Sequence, residues 1–246
     1  MKRNSVSRKL SVLMLVFGIA ALALRKTLYA VAIDAKGLLT RNHPLEIALL
    51  ALTAVVLTIL LLTLRKLDPS SLSDSSKSAC LSGAIGNTAA GIGILITVLT
   101  GAPGMGGALE NGWTILGLTA PVCLLLAGIF RLLRKKPFFL LHVTVCLFFA
   151  LHIVANYQLW SSNPQMQDYV FSLLGAMTLM FYGFYTAARE AGYGSLPIQM
   201  GMGLAAIYLC LAELARTSCF ALYLGGILWV LADLFSMQNA AADQEK

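Results

Sequence analysis

Residues 45–64 read LEIALLALTAVVLTILLLTL, with one charged side chain, Glu46, at the beginning of the stretch. A helix needs about 20 mostly apolar residues to cross the hydrocarbon layer of a membrane, which is about 30 Å thick. The chain contains seven further stretches of this character: Leu10–Ala30, Cys80–Thr100, Gly112–Leu133, Pro137–Tyr157, Tyr169–Ala188, Pro197–Leu214 and Thr217–Ser236. The sequence therefore predicts an all-α fold, a polytopic transmembrane helix bundle of about eight spanning helices.

The composition leaves little room for any soluble part. Of the 246 residues 58% are hydrophobic and 12% are charged, about half the charged share of a soluble globular domain. The longest polar interval between predicted helices is Arg65–Ser78, which is too short for a folded module. We predict one integral membrane domain over residues 1–246, with a flexible cytoplasmic loop over 65–79, and this excludes most soluble enzyme classes.

The net charge of +7 does not indicate nucleic-acid binding, because the placement of the basic residues is explained by membrane orientation. Thirteen Lys and Arg residues lie on the side of the N-terminus and five on the other side. Because cytoplasmic loops carry the excess of basic residues, both termini are predicted to be cytoplasmic. The lipid bilayer is the predicted partner, and no nucleic-acid partner is predicted.

The first apolar stretch has two interpretations. Basic residues before Leu10 and small residues around Ala21 or Ala30 resemble a cleavable secretory signal. Alternatively, residues 10–30 form an uncleaved signal-anchor helix, in which the Arg25 and Lys26 side chains extend to the membrane surface. We favour the uncleaved helix.

Small residues dominate the third predicted helix. Gly83, Asn87 and Gly91 are spaced four apart, which places them on one side of the helix. We expect this helix at the centre of the bundle, with Asn87 hydrogen-bonded to a neighbouring helix. In the functional alternative, Asn87 and Thr88 line a solute path.

The three histidines do not indicate a metal site. His142 and His152 are about 15 Å apart along one helix, too far to share an ion. His43 could approach His152, with Glu46 adding a carboxylate, but the spacing does not require this. We predict no metal and no cofactor, and keep His43 and His152 as functional candidates.

Acidic side chains are few in the predicted spans. Glu46 and Glu213 lie near outer helix ends and Asp233 lies near an inner end. Glu213 can pair with Arg216, three residues later. We expect Glu213 and Asp233 to be paired or solvated near the interfaces, with a transport role as the alternative.

Common catalytic motifs are missing from the sequence. There is no H-E-x-x-H, no G-x-S-x-G, no G-K-[ST] phosphate loop and no pair of intramembrane aspartates. No catalytic residue is therefore predicted. The five cysteines are interpreted as buried apolar residues, with a disulfide between Cys210 and Cys219 as the alternative.

Two segments carry a resemblance to a known group of proteins. They are Tyr29–Leu39, which leads to His43 and Pro44, and Leu159–Tyr169. They resemble an uncharacterised family of multi-pass membrane proteins from clostridial-type bacteria. The resemblance implies a bacterial cytoplasmic membrane and no particular substrate. Asp34 lies in the first of these segments, in the predicted first outer loop, and is a further functional candidate.

The sequence therefore favours a non-enzymatic membrane protein that acts in assembly, sensing or interaction. The alternative is a small-solute transporter or channel, with a polar path through residues 83–93 and the flanking helices. A cavity lined by Asn87 would favour transport, whereas ionisable groups that converge at one face would favour chemistry.

Overall fold

The computed structural model describes residues 2–32, 43–65, 81–100, 108–133, 135–160, 169–216 and 219–243. Side chains are described for these residues except in 2–8, 108–109, 159–160 and 237–243. The described ranges form eight helices, which are α1 (Lys2–Val31), α2 (Pro44–Arg65), α3 (Leu81–Leu99), α4 (Ala108–Leu132), α5 (Phe139–Trp160), α6 (Val170–Glu190), α7 (Leu196–Glu213) and α8 (Phe220–Asp243).

The prediction of a polytopic helix bundle is confirmed. In the part of the chain that the structure describes, seven helices are long and apolar enough to cross a membrane, and the apolar part of α8, Phe220–Ser236, is somewhat shorter. Helix boundaries follow local chemistry. Pro44 is the first residue of α2, where its missing N–H costs no hydrogen bond. Gly192 ends α6 with φ +92°, a conformation that glycine adopts without strain.

Five helices surround a common interior. α3 packs against α4, α4 against α5, α5 against α6, α6 against α8, and α8 against α3. We call α3, α4, α5, α6 and α8 the five-helix ring. α7 packs on α6 and α8 as well as on α1 and α2.

Consecutive helices run in opposite directions, which gives the bundle two distinct ends. Arg131, late in α4, lies beside Asp233, late in α8, and both adjoin Gly83, early in α3. Arg25, late in α1, pairs with Glu213, the last residue of α7. We call these the Arg131 end and the Arg25 end. In the predicted orientation the Arg131 end faces the cytoplasm.

The helix at the centre is α7, so the expectation that α3 occupies this place is wrong. Nearly all of α7 from Gln199 to Glu213 is buried, because α1, α2, α6 and α8 cover it. α3 instead exposes Ile85, Ile92 and Ile96 on the outside of the bundle and turns its small residues toward α8 and α4. Small side chains on α3 allow close approach to these two neighbours, as predicted, but do not make it central.

In α1, the environment of Arg25 differs from the predicted one. Arg25 is 2% exposed, so its side chain does not extend to the outer surface of the bundle. Its guanidinium forms an ion pair with Glu213 and donates a hydrogen bond to the carbonyl oxygen of Ala212, 3.1 Å away. Lys26, the next residue, is exposed. An oppositely charged partner inside the bundle holds Arg25 in place of interfacial water.

Candidate functional site

An ion pair between α4 and α8 forms the base of a polar cluster inside the five-helix ring. The guanidinium of Arg131 contacts Asp233 Oδ1. The hydroxyl of Tyr182, on α6, donates to Asp233 Oδ2 at 2.9 Å. Both oxygens of a carboxylate that is 1% exposed are therefore engaged, which is the condition for keeping a charge in an apolar interior. Asp233 is paired, as predicted.

A second carboxylate lies next to this pair. Glu190 Oε2 is 2.8 Å from His142 Nδ1, and Glu190 Oε1 is 3.9 Å from Arg131 Nη2. Because an ionised carboxylate only accepts, this geometry places a hydrogen on His142 Nδ1. His142 Nε2 is buried and has no hydrogen-bond partner among the described protein groups.

The indole of Trp229 closes the cluster on the side of the Arg25 end. Its ring stacks on the His142 imidazole with centroids 6.0 Å apart, and Tyr182 meets it edge-on at 5.2 Å. Trp229 is fully buried, and within the described part of the chain nothing accepts a hydrogen bond from its Nε1. A buried indole N–H normally finds an acceptor.

Asn87 faces the same interior from α3. Its predecessor Gly86 lies against the Trp229 backbone on α8, and its own Cβ adjoins Gly128 on α4. A helix turns by about 100° per residue, so Asn87 points between these two contacts, into the ring. Asn87 is 0% exposed, and neither Nδ2 nor Oδ1 has a partner among the described groups. Within the described ranges, the expected hydrogen bond to a neighbouring helix is therefore not formed.

Glycines leave the space that these side chains occupy. A Cβ on Gly83 would lie 3.0 Å from Arg131 Nη1 and 3.3 Å from Asp233 Oδ1. A Cβ on Gly183 would lie 3.4 Å from the Trp229 ring. The small residues of α3 and α6 therefore admit a guanidinium and an indole into the helix contacts. We call the whole set the polar site: Asn87, Arg131, His142, Tyr182, Glu190, Trp229 and Asp233.

The other candidate residues lie elsewhere. Glu213 is at the Arg25 end, where it forms an ion pair with Arg25 of α1, and the predicted partner Arg216 also interacts with it electrostatically. Arg216 also contacts the Tyr169 ring, 4.2 Å from the centroid. Thr88 donates to the Ala84 carbonyl of its own helix, so its hydroxyl is already engaged.

The histidines at the Arg25 end have local roles. His43 stands before α2, where its Nδ1 accepts a hydrogen bond from the Leu45 N–H at 3.3 Å. His152 is buried between Trp113, whose indole Nε1 lies 3.4 Å from His152 Nδ1, and Asn156. In the described residues, no three His, Cys, Asp or Glu side chains converge as metal ligands. Asp34 and most of the 65–79 loop lie outside those residues.

Cys210 and Cys219 are free thiols, so the alternative disulfide between them is wrong.

No protein-family model, no curated protein and no solved structure matches this chain. The resemblance to a clostridial-type membrane family therefore stays a prediction.

Proposed function

We propose that this chain is a non-enzymatic protein of the bacterial cytoplasmic membrane that binds a small polar solute in the polar site, as a sensing or interaction component. The observation that carries the proposal is the set of unpartnered polar atoms on Asn87, His142 and Trp229. A buried polar atom without a partner costs about 1–3 kcal/mol. Three such residues on three helices that face one interior are consistent with a bound solute that supplies the missing partners.

The converging ionisable groups do not favour chemistry. Asp233 and Glu190 are engaged by Arg131, Tyr182 and His142, so both carboxylates serve internal pairs. The Glu190–His142 pair resembles the orienting half of a general base. No hydroxyl or thiol within the described residues is hydrogen-bonded to His142 Nε2, so a nucleophile for that base is missing from the described part.

Transport is the second candidate, and the position of Asn87 favours it. Asn87 lies six residues after the beginning of α3, roughly 9 Å along the helix axis. The polar site therefore extends inward from the Arg131 end, and buried Ile94, Leu124 and Leu179 lie beyond it toward the Arg25 end. A solute would cross only if these helices moved apart.

The orientation of the chain in the membrane and the retention of α1 are part of the same proposal. Basic residues that accumulate on one side support a cytoplasmic Arg131 end and cytoplasmic termini. The Arg25–Glu213 pair supports retention of α1, since removal of this helix would leave Glu213 without the guanidinium that contacts it.

A solute screen by thermal stabilisation tests the proposed function. The purified full chain and its Asn87→Leu variant are melted with a set of small neutral, cationic and anionic solutes. At least one solute should raise the melting temperature of the parent protein and fail to do so in Asn87→Leu. Asn156→Leu, which removes a buried amide outside the polar site, should keep the response. A set in which no solute acts through Asn87 would refute the proposal.

A further inference from the structure

The polar site holds more carboxylates than guanidinium groups. Arg131 contacts Asp233 and lies 3.9 Å from Glu190, so one cation faces two carboxylates. The side chains of Asp233 and Glu190 are 1% and 7% exposed, which leaves little water to stabilise a second negative charge. An uncompensated charge in a low-dielectric interior is costly. The second carboxylate therefore needs either another cation or a bound proton.

His142 is the neighbour of Glu190 that can hold this proton. Its Nδ1 lies 2.8 Å from Glu190 Oε2, and its side chain is fully buried. A neutral imidazole brings no charge to this contact, whereas an imidazolium ion brings one positive charge. With that charge, the two carboxylates face two cations, Arg131 and His142.

The helices around His142 carry other titratable and charged groups. The described ones are Arg131 on α4, Cys146 on α5 itself, Tyr182, Arg189 and Glu190 on α6, and Asp233 on α8. Arg189 is partly exposed and interacts electrostatically with Tyr182, so water screens much of its charge. Lys135 and Lys136, which precede α5, are exposed and in the same situation. A proton on His142 is therefore the charge that lies closest to Glu190 and farthest from water.

The contacts of the His142 ring favour the proton there over a proton on Glu190. The imidazole stacks on the Trp229 indole with centroids 6.0 Å apart and planes 13° apart, and the face of an indole attracts a cation. Arg131, 3.9 Å from Glu190 Oε1, attracts the negative charge of this carboxylate. The second N–H of the imidazolium, on Nε2, has no described partner. One unpartnered N–H costs less than an uncompensated buried charge.

We infer that the Glu190–His142 pair is a proton-binding site, in which His142 is an imidazolium ion that holds α5 to α6. Proton uptake from water forms an N–H bond with the lone pair of a ring nitrogen, and release breaks this bond and returns the proton to water. Glu190 is the last residue of α6, at the Arg131 end, where its remaining exposure allows exchange with water. Loss of the proton leaves a buried carboxylate uncompensated and weakens the α5–α6 contact. The polar site is then sensitive to pH, with or without a bound solute.

Nitrogen NMR of the purified full chain, labelled with ¹⁵N-histidine, tests the protonation of His142 directly. The chain has three histidines, and the signal of His142 is the one that His142→Gln lacks. At about pH 6 both ring nitrogens of His142 should have the chemical shifts of an imidazolium. In Glu190→Gln one guanidinium faces one carboxylate, so the same ring should lose its proton at a lower pH than in the parent protein. A neutral His142 in the parent protein at about pH 6 would overturn the inference.

The pH dependence of stability gives a second measurement. Above about pH 6.5 an unfolded histidine is mostly neutral, so the folded protein binds the additional proton. The ratio of folded to unfolded protein should therefore fall as the pH rises, by at most about tenfold per pH unit for one proton. His142→Gln and Glu190→Gln should lack this component. His152→Gln, which removes a buried histidine outside the polar site, should keep it.

These measurements need no solute, so proton binding and the proposed solute binding succeed or fail separately. If the parent protein, His142→Gln and Glu190→Gln share one pH dependence above about pH 6.5, the pair does not bind the proton. If His142→Gln does not fold, Glu190→Gln and the NMR signals decide. A solute screen without a positive result would leave the proton site standing, and a neutral His142 would leave the solute screen unaffected.

Discussion

Asn87 and Asn156 are two buried asparagines in opposite situations. Asn156 donates to the carbonyl oxygen of His152 at 2.7 Å, whereas the Asn87 amide has no described partner. Leucine has a similar branched shape without polar atoms. Asn87→Leu should therefore leave stability unchanged or increase it by about 1–3 kcal/mol, because a desolvated polar group is removed. Asn156→Leu should lower stability by about 1 kcal/mol.

The comparison is made on the purified protein, without added solute, from the free energies of unfolding in detergent. A destabilised Asn87→Leu protein would mean that the Asn87 amide is hydrogen-bonded within the bundle, as the sequence alone suggested. The polar site would then lose its main reason to bind a solute.

The Arg25–Glu213 pair gives a second prediction at the scale of single residues. Removing one partner of a buried ion pair leaves an uncompensated charge, so Arg25→Met should lower stability by about 3–5 kcal/mol. Replacing both residues, Arg25→Met with Glu213→Leu, should restore most of this loss. Lys26→Met, at an exposed neighbour, should change stability by less than about 0.5 kcal/mol.

These variants, with Glu213→Leu alone to complete a double-mutant cycle, are compared by their unfolding free energies. Equal losses for Arg25→Met and Lys26→Met would show that Arg25 lies in interfacial water. The sequence could identify Arg25 as a charge inside a span, but its partner lies 188 positions away and only the helix packing brings the two together.

At the scale of helices, the α3–α8 contact depends on glycine. A Cβ on Gly86 would lie 2.5 Å from the Ala232 Cβ and 3.1 Å from the Trp229 carbonyl oxygen, and backbone cannot move aside cheaply. Gly86→Ala should therefore lower stability by about 1–3 kcal/mol. Gly112→Ala on α4 is the matched control, because its Cβ would meet Leu151 at an ordinary 3.5 Å.

Melting temperatures of both variants in the same detergent test this contact. If Gly86→Ala melts like the parent protein while Gly112→Ala does not, α3 and α8 do not approach closely at Gly86.

On α2, Leu61 is 61% exposed, so Leu61→Val should have little effect on the melting temperature, whereas Leu57 packs partly against the core.

Hydropathy predicts where the helices lie in the sequence, but it does not predict which helices pack against each other. All eight described helices overlap the predicted spans, because a membrane imposes length and apolar composition on each helix separately. Which helix lies at the centre depends on packing between helices. α7 is buried because α1, α2, α6 and α8 cover it, and no local feature of residues 196–213 indicates this cover.

At the scale of the whole molecule, the loops should alternate across the membrane. Reporter fusions after Lys77, after Lys136 and at the C-terminus should be cytoplasmic, because the basic residues concentrate on that side. Fusions within 101–111 and 158–168 should be external. An external C-terminus would place the Arg131 end, and with it the polar site, on the outer side.

The polar site could be predicted only in part. Asn87 and Asp233 stand out in the sequence because polar groups inside spans are rare. Arg131, His142 and Glu190 lie at predicted helix ends, where charged or polar groups in contact with water are ordinary, and Tyr182 and Trp229 look like apolar core. Their convergence is a property of the five-helix ring, since four different helices bring these five residues together.

The most direct test of solute binding in the five-helix ring is an experimental structure of the full chain in lipid, at a resolution that shows ordered water and small molecules. The account predicts non-protein density within hydrogen-bonding distance of the Asn87 amide and of Trp229 Nε1, enclosed by the ring. A structure in which the Asn87 amide and the Trp229 indole bind directly to other protein groups, with no such density between them, would contradict it.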